Sequence, residues 1–406
     1  MADNVIKELF NLVYPYENLN KNISHDEIWE QETLCAGLPG TMLFICDYLK
    51  KNEIDGSIDV YIEKMIESYN NLEYIDLSLF SGLSGVASTL AIIDYTKYKF
   101  LIDQTTEYIL DNLKTFTDAI DEDNLKFQDY DLMAGLCGIL NYLIYYYKLR
   151  PRDNVLKKIK YSICTIISIY DNNKFYVKSK YFFSEAEKIS NPNGGYDLGL
   201  SHGITGILHV LTNFSQINEC NYVNKYKTLI YNDLKKLSYN MNQRLVWPQV
   251  KTNDFNKDAP IFFDSWCYGS PSIIYHLYKV AKEMNNYKDM YLFEESMNNI
   301  AKNIKGISSP SFCHGYAGLL TIFIEFNKLV GENIIGEKTL THIKDKIMSF
   351  YRDDDFPFYE ELYDYDKNKS EWYKNLGLLT GTSGIGLSLL HFKDSNSLPW
   401  TKIFTL

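Results

Sequence analysis

The sequence lacks any run of about 18 uncharged apolar residues, so no part of it reads as a membrane-spanning helix. Its opening, MADNVIKELF, lacks the positive head and long apolar segment of a secretory signal, and a cytosolic protein is expected. Positive charge is also short: the formal net charge is -11, and no basic face of the kind phosphate binding requires appears, which argues against a nucleic-acid partner. Cysteine is sparse and odd in number. Seven residues scattered through 406 do not resemble a disulfide framework, so free thiols or metal ligands are expected. No segment shows the apolar depletion of a disordered tail; with 46% hydrophobic and 23% charged residues, the chain can bury a large core.

What the chain does have is internal repetition, the feature that most constrains a fold. A Gly-x-x-Gly-type motif opening an apolar run of about ten residues occurs seven times, at Gly37, Gly82, Gly135, Gly203, Gly269, Gly315 and Gly381. The intervals, 45 to 68 residues, hold two helices with their loops, so each unit reads as a helical hairpin. Stretches such as IDVYIEKMIESYNNL carry apolar residues at a spacing near 3.6, the pattern of an outer helix with one wet face. The runs after the glycines are continuously apolar, as buried inner helices are. First and last units are as apolar as the middle ones, whereas an open array needs polar caps at its ends. The expectation is an all-α fold, an α/α toroid (barrel) of seven helical hairpins in one domain over 1–406, with inner and outer helix rings. Extra material at 171–196, 240–264 and 351–374, rich in aromatic and β-branched residues, is expected to form short β-hairpin or loop insertions at the rim.

Aligned on the first glycine, the two preceding positions are bland in most repeats but read Ser201-His202, Cys267-Tyr268 and Cys313-His314 in three consecutive ones. In a ring these positions share one height at the mouth of the central cavity. Cys267, Cys313 and His314 thereby supply two thiolates and an imidazole, leaving a fourth tetrahedral position open, as in a catalytic zinc site, and soft sulfur donors disfavour magnesium or calcium. The plainer reading is that both cysteines are buried small residues and His314 hydrogen-bonds a loop. His202 is a candidate general acid or base, set against a structural histidine bonded to backbone. Asp131 either orients His202 or caps its helix. Tyr268 either donates a hydrogen bond into the cavity or packs. Cys35 shares the register without a histidine beside it and reads as simply buried. His25, His209, His276, His342 and His391 read as structural.

Together, Ser-His-Gly at 201–203, Trp-Cys-Tyr-Gly at 266–269, Cys-His-Gly at 313–315 and the seven repeats resemble the lanthionine synthetase C family, the cyclases of lantibiotic biosynthesis, over nearly the whole chain. The resemblance implies an α/α toroid with one zinc ion per chain on Cys267, Cys313 and His314, and active-site roles for His202, Asp131 and Tyr268. The implied reaction adds a substrate cysteine, activated as its thiolate, to a dehydroalanine or dehydrobutyrine of the same peptide, forming a thioether ring. His202, oriented by Asp131, is the expected proton donor, and a water on the metal is the competing carrier. The implied partners are a dehydrated precursor peptide and, in an assembly at the inner face of the membrane, a dehydratase and an exporter. One departure stands out: many members place an arginine four residues before the first zinc cysteine, where this chain has Phe263.

Two rival functions are weighed. Helical barrels also house glycosidases, which need two carboxylates facing a groove; the register positions before the glycines contain neither Glu nor Asp. A non-catalytic zinc and glutathione or peptide-binding relative of the cyclases is the other alternative.

Overall fold

Each of the seven motif glycines is the N-cap of a helix. The structure is a computed structural model that describes residues 2–23, 28–252, 263–354, 356–364, 369–395 and 398–406. The helices that follow the glycines are α3 (Leu38–Lys51), α5 (Leu83–Asp94), α8 (Leu136–Leu149), α11 (Ile204–Ile217), α13 (Ser270–Glu283), α15 (Tyr316–Val330) and α17 (Thr382–Lys393). They are buried on nearly every face, as their unbroken apolar sequences require, and each packs against the next until α17 meets α3 and the ring closes. Outside them lie α4 (Asp59–Tyr69), α6 (Lys99–Asp118), α9 (Asp153–Asn173), α12 (Asn221–Lys236), α14 (Tyr287–Lys302) and α16 (Glu337–Met348), each hairpinned to the inner helix before it. Their buried residues recur at three- and four-residue spacing, for example Val155, Ile159, Ile163, Ile166 and Ile169 along α9, which leaves one face wet. The seventh outer position is filled from the other end of the chain: α1 (Ala2–Val13) packs on α17 and α3. The short helices α2 (Tyr16–Ile23), α7 (Phe127–Tyr130) and α10 (Glu185–Ser190) sit in the connections.

The toroid with inner and outer rings is thus as expected, but one hairpin is assembled from the two ends of the chain. No helix among the described residues is long and apolar enough to cross a membrane.

Close packing between repeats explains the second glycine. A Cβ on Gly85 would lie 2.1 Å from the carbonyl oxygen of Leu79 and 2.9 Å from the Cβ of Leu34, a side chain of the preceding repeat. The position three residues before each motif glycine holds Leu34, Leu79, Leu132, Leu200, Trp266, Phe312 or Leu378, all fully buried. Burying one such leucine contributes roughly 1.5–3 kcal/mol.

The loops entering the inner helices form a belt of main-chain hydrogen bonds that runs around the ring. Cys35 N donates to Phe80 O, Phe80 N to Met133 O, Leu132 N to Ser201 O, and Ser201 N to Cys267 O. Cys267 N donates to Cys313 O, Cys313 N to Leu379 O, and Leu379 N back to Cys35 O. Buried backbone groups need partners, and here each loop finds them in its neighbour, so adjacent loops are held in register.

The bore beneath this belt is filled by the final segment. The Phe404 ring lies 3.9 Å from Phe312 and meets Trp266 edge-on at 5.2 Å by ring centroids, and Trp266 Nε1 donates to Phe404 O at 3.0 Å. Trp400 and Phe404 are fully buried there.

At the rim, β5 (Tyr359–Asp364) and β6 (Lys369–Lys374) form an antiparallel hairpin. Among the described residues two other short ladders occur: β1 (Tyr196–Asp197) with β4 (Val250–Lys251), and β2 (Tyr239–Asn240) with β3 (Leu245–Val246). Within 171–196, FYVKSKYFF forms no hairpin; it holds a 3₁₀ turn at Ser179–Tyr181, leads into α10, and makes a single bridge from Val177 to Gly195. Phe175, Val177 and Phe182 are buried, so the aromatic and branched residues serve core packing rather than strand pairing. The part of 240–264 spanning 253–262 lies outside the described residues.

Candidate active site

The belt brings the singled-out residues to one place. Ser201, His202, Cys267, Tyr268, Cys313 and His314 line a single cavity of about 440 Å³ at the helix N-terminal mouth of the ring. Asp131 stands behind His202, buried, with Oδ2 at 2.5 Å from His202 Nδ1. Its other oxygen accepts from the amides of Ala134 (2.7 Å) and Gly135 (2.9 Å). The Asp131 carboxylate thus bonds both the amides of the loop that enters α8 and the His202 imidazole.

This pairing sets the charge of His202. Burial alone would lower its pKa, but the Asp131 carboxylate, through charge and hydrogen bond, outweighs burial and holds the ring above the ordinary histidine range. With Nδ1 engaged, Nε2 is the nitrogen left for chemistry. The imidazole is flanked by aromatic rings, Phe183 at 4.6 Å and Tyr268 at 6.1 Å by centroids, and Phe183 is half exposed.

Cys267 and Cys313 sit on neighbouring loops, and their thiols are paired. The Cys313 thiol beside it holds Cys267 below the usual thiol range, while Cys313 itself is pushed up by that same partner and by burial. Ser265 Oγ lies 3.7 Å from Cys267 Sγ and donates to Tyr268 O at 2.6 Å. Burial lowers the pKa of His314, so its ring is neutral and able to donate a lone pair. Two sulfurs and a neutral imidazole are the donors a soft divalent ion such as zinc prefers, and the composition of this corner fits one. His314 shares the cavity without closing on the sulfurs: among the described residues, no three His, Cys, Asp or Glu side chains are grouped as a metal site.

Gly269, directly after Tyr268, has φ +124, whereas the other six motif glycines have negative φ. A Cβ there would meet Phe263 O at 1.8 Å. The Cys267 loop thus takes a backbone path that only glycine permits. Phe263 itself forms part of the cavity wall. The residue after it, Asp264, holds Arg244 in a buried ion pair, and Arg244 also donates to Asn303 O.

Asp197 was not singled out by register, yet it belongs to the site. It is buried, accepts from Gly199 N at 2.6 Å and lies beside the Tyr268 hydroxyl. Burial raises its pKa to about 7, against the opposing pull of His202, the Gly199 amide and the Tyr268 hydroxyl. A signal existed: Asp76, Asp197, Ser309 and Asn375 each precede a motif glycine by six residues, and each accepts from the amide two residues on. The Tyr268 hydroxyl also lies beside Gln249, so its polar end is engaged in the cavity.

Of the remaining residues, Cys35 Sγ donates to Thr33 Oγ1 at 3.3 Å and is not part of the cavity lining. His209, His276 and His391 are buried on inner helices; His342 is exposed on α16, and His25 lies outside the described residues.

Comparison with known proteins places this geometry in context. Residues 28–405 match the family model described as lanthionine synthetase C-like protein. The nisin biosynthesis protein NisC of Lactococcus lactis subsp. lactis is 30% identical over 336 residues, covering 77% of this chain and 78% of that protein. The solved structure of nisin cyclase superposes with a TM-score of 0.82 at 23% identity, covering 99% of this chain and 97% of that one.

Proposed function

The chain belongs to the lanthionine synthetase C-like family, and on that premise we propose that it is a zinc-dependent lanthipeptide cyclase acting on a dehydrated precursor peptide. The observation that carries the reading is that His202, bonded to the buried Asp131, shares one cavity with Cys267 and Cys313.

Cys267, Cys313 and His314 would hold a zinc ion, which when bound lowers the pKa of an incoming thiol so that it reacts as the thiolate. The chain's own groups then handle the proton. The substrate sulfur forms a bond to the β-carbon of dehydroalanine or dehydrobutyrine, and the electron pair of the alkene moves onto the carbonyl as an enolate. His202 carries the proton released by the thiol and delivers it from Nε2 to the α-carbon, while Asp131 stabilises the imidazolium between the two events. Nothing leaves, so the ring-closed peptide has the mass of its precursor. Tyr268 and Phe183 flank the imidazole and hold the reacting segment against it. Phe263 makes the entrance apolar where many relatives of the family carry an arginine, and Arg244, buried against Asp264, is tied to structure rather than offered to substrate.

Because the reaction consumes dehydroamino acids, a dehydratase must act first, and a dehydratase and exporter at the inner face of the membrane are the partners proposed. The decisive experiment incubates the protein with a dehydrated Cys-containing precursor peptide. Loss of free thiols at unchanged peptide mass, dependent on His202, supports the cyclase; glutathione affinity without thiol loss would instead identify a binding protein.

A further inference from the structure

The end of the ring opposite the active site holds a second cavity, of about 200 Å³, near the C-terminal ends of α8, α11 and α13. Three lysines line it: Lys148, Lys279 and Lys402. Lys148 stands close enough to each of the other two for their charges to oppose. Partial burial of its ammonium and the Lys402 charge lower Lys148, and burial and Lys148 bring Lys279 down to about 8. In a chain with net charge -11, a lysine cluster with two repulsive pairs requires a reason.

The ordinary reason is compensation of helix dipoles by cations in the last turn. Other repeats show what that looks like here. Lys51 pairs with Asp47 and caps Leu390 O, Lys328 pairs with Glu325 and bonds Ser395 O, and Lys282 caps Leu329 O. The three lysines of the far cavity do none of this. Lys148 bonds only the neutral amide of Gln216, at 3.1 Å. Lys279 and Lys402 lie over the rings of Tyr275 and Tyr145 and have no ion pair or side-chain hydrogen bond among the described residues. Glu283, the carboxylate whose charge reaches Lys148 and Lys279, is already bonded to Lys227 and Gln216. Leu406 also lines the cavity, and even a carboxylate there offsets only one of the three charges.

We infer that Lys148, Lys279 and Lys402, with the amide of Asn213 beside them, form a binding site for a small, multiply charged oxyanion of the phosphate or pyrophosphate class. Such an anion relieves the mutual repulsion, and the cavity has room for linked phosphates but not for a buried nucleoside. The site is independent of the cyclisation chemistry.

The test is calorimetric titration of the full-length protein with inorganic phosphate, pyrophosphate and ADP at fixed ionic strength, sulfate serving as the competing simple anion. Pyrophosphate binding at one site per chain is expected, weakened at least tenfold by Lys279→Met and by the paired change Lys148→Gln with Lys402→Gln. Equal affinity for ADP assigns the site to a phosphate group carried on a larger molecule; preference for free pyrophosphate assigns it to the free anion. The stems of Lys148 and Lys402 are exposed to solvent, even though the Lys148 ammonium turns into the cavity, so the paired variant keeps the fold, which thermal melting verifies. His202→Asn should bind unchanged. The inference is overturned if pyrophosphate binds no more tightly than sulfate, if the paired variant keeps wild-type affinity, or if only an acidic polypeptide such as polyglutamate binds.

Discussion

The backbone amide of Cys267 donates to the backbone carbonyl of Cys313 at 3.1 Å. The two sulfurs are therefore placed by a main-chain bond between adjacent repeats, and that bond is one link of a belt that also carries Ser201, next to His202, on Cys267 O. Register around the ring and geometry in the cavity are one property.

If Cys267, Cys313 and His314 hold zinc as proposed, elemental analysis of the pure wild-type protein should find one zinc per chain, and Cys313→Ala and Cys267→Ala should bring it to near none. Cyclisation should drop by more than the roughly 10- to 100-fold that loss of a residue merely orienting a ligand costs. A Cys313→Ala protein that still holds zinc and closes rings would end the metal assignment.

Asp131→Asn keeps an oxygen for the Ala134 and Gly135 amides but deletes the charge facing His202. The imidazole pKa, raised by that carboxylate, should fall. If protonated His202 supplies the α-carbon proton, activity declines as pH rises past its pKa, so the alkaline limb of the rate profile should move to lower pH in the variant. The melting temperature should change little. His202→Ala should lose about 10²- to 10⁴-fold in rate, and a variant retaining wild-type rate and pH profile would exclude His202 as the proton carrier.

Gly269→Ala and Gly331→Ala form an informative pair, since both glycines have positive φ, +124 and +92. At Gly331 a Cβ meets nothing within 4 Å, so only backbone strain of about 1–3 kcal/mol applies. At Gly269 the Cβ strikes Phe263 O, and the Cys267 loop must shift. Denaturant melts should show the larger loss for Gly269→Ala, and only that variant should lose zinc; equal behaviour of the two would refute a special role for this loop.

His209 and His276 lie with rings 5.1 Å apart inside the ring of helices, and burial holds both well below the ordinary histidine pKa. An unfolded chain takes up protons on them near pH 6.5, and the folded chain does not. Their contribution to stability is thus complete above that pH and is lost as pH falls below it, at about 1.4 kcal/mol per pH unit for each. Urea melts between pH 7.5 and 5.5 should show this slope, reduced in His276→Gln; an unchanged slope in that variant would contradict it.

Much of this molecule could be read in advance because a repeat places equivalent residues at equivalent heights. The glycine register marks Cys267, Cys313, His314 and His202, and the fold brings all four to the lining of one cavity. For Asp131 the sequence leaves two readings open because one carboxylate has two oxygens, and only three dimensions show that one faces the loop amides and the other the imidazole. Asp197 lies six positions before its glycine, outside the two-residue register that marks the others. The burial of FYVKSKYFF looked like strand formation, since both place aromatic and branched residues together. The source of the seventh outer helix was invisible for another reason: amphipathic periodicity in α1 reveals that it has a buried face, and says nothing about which distant segment covers it.

That last arrangement bears on synthesis. Because α1 packs on α17, and the Cys313 amide finds its acceptor in Leu379, a nascent chain emerging from the ribosome cannot complete the ring until α17 has been translated. Chains that terminate before α17 should therefore be inert as well as short.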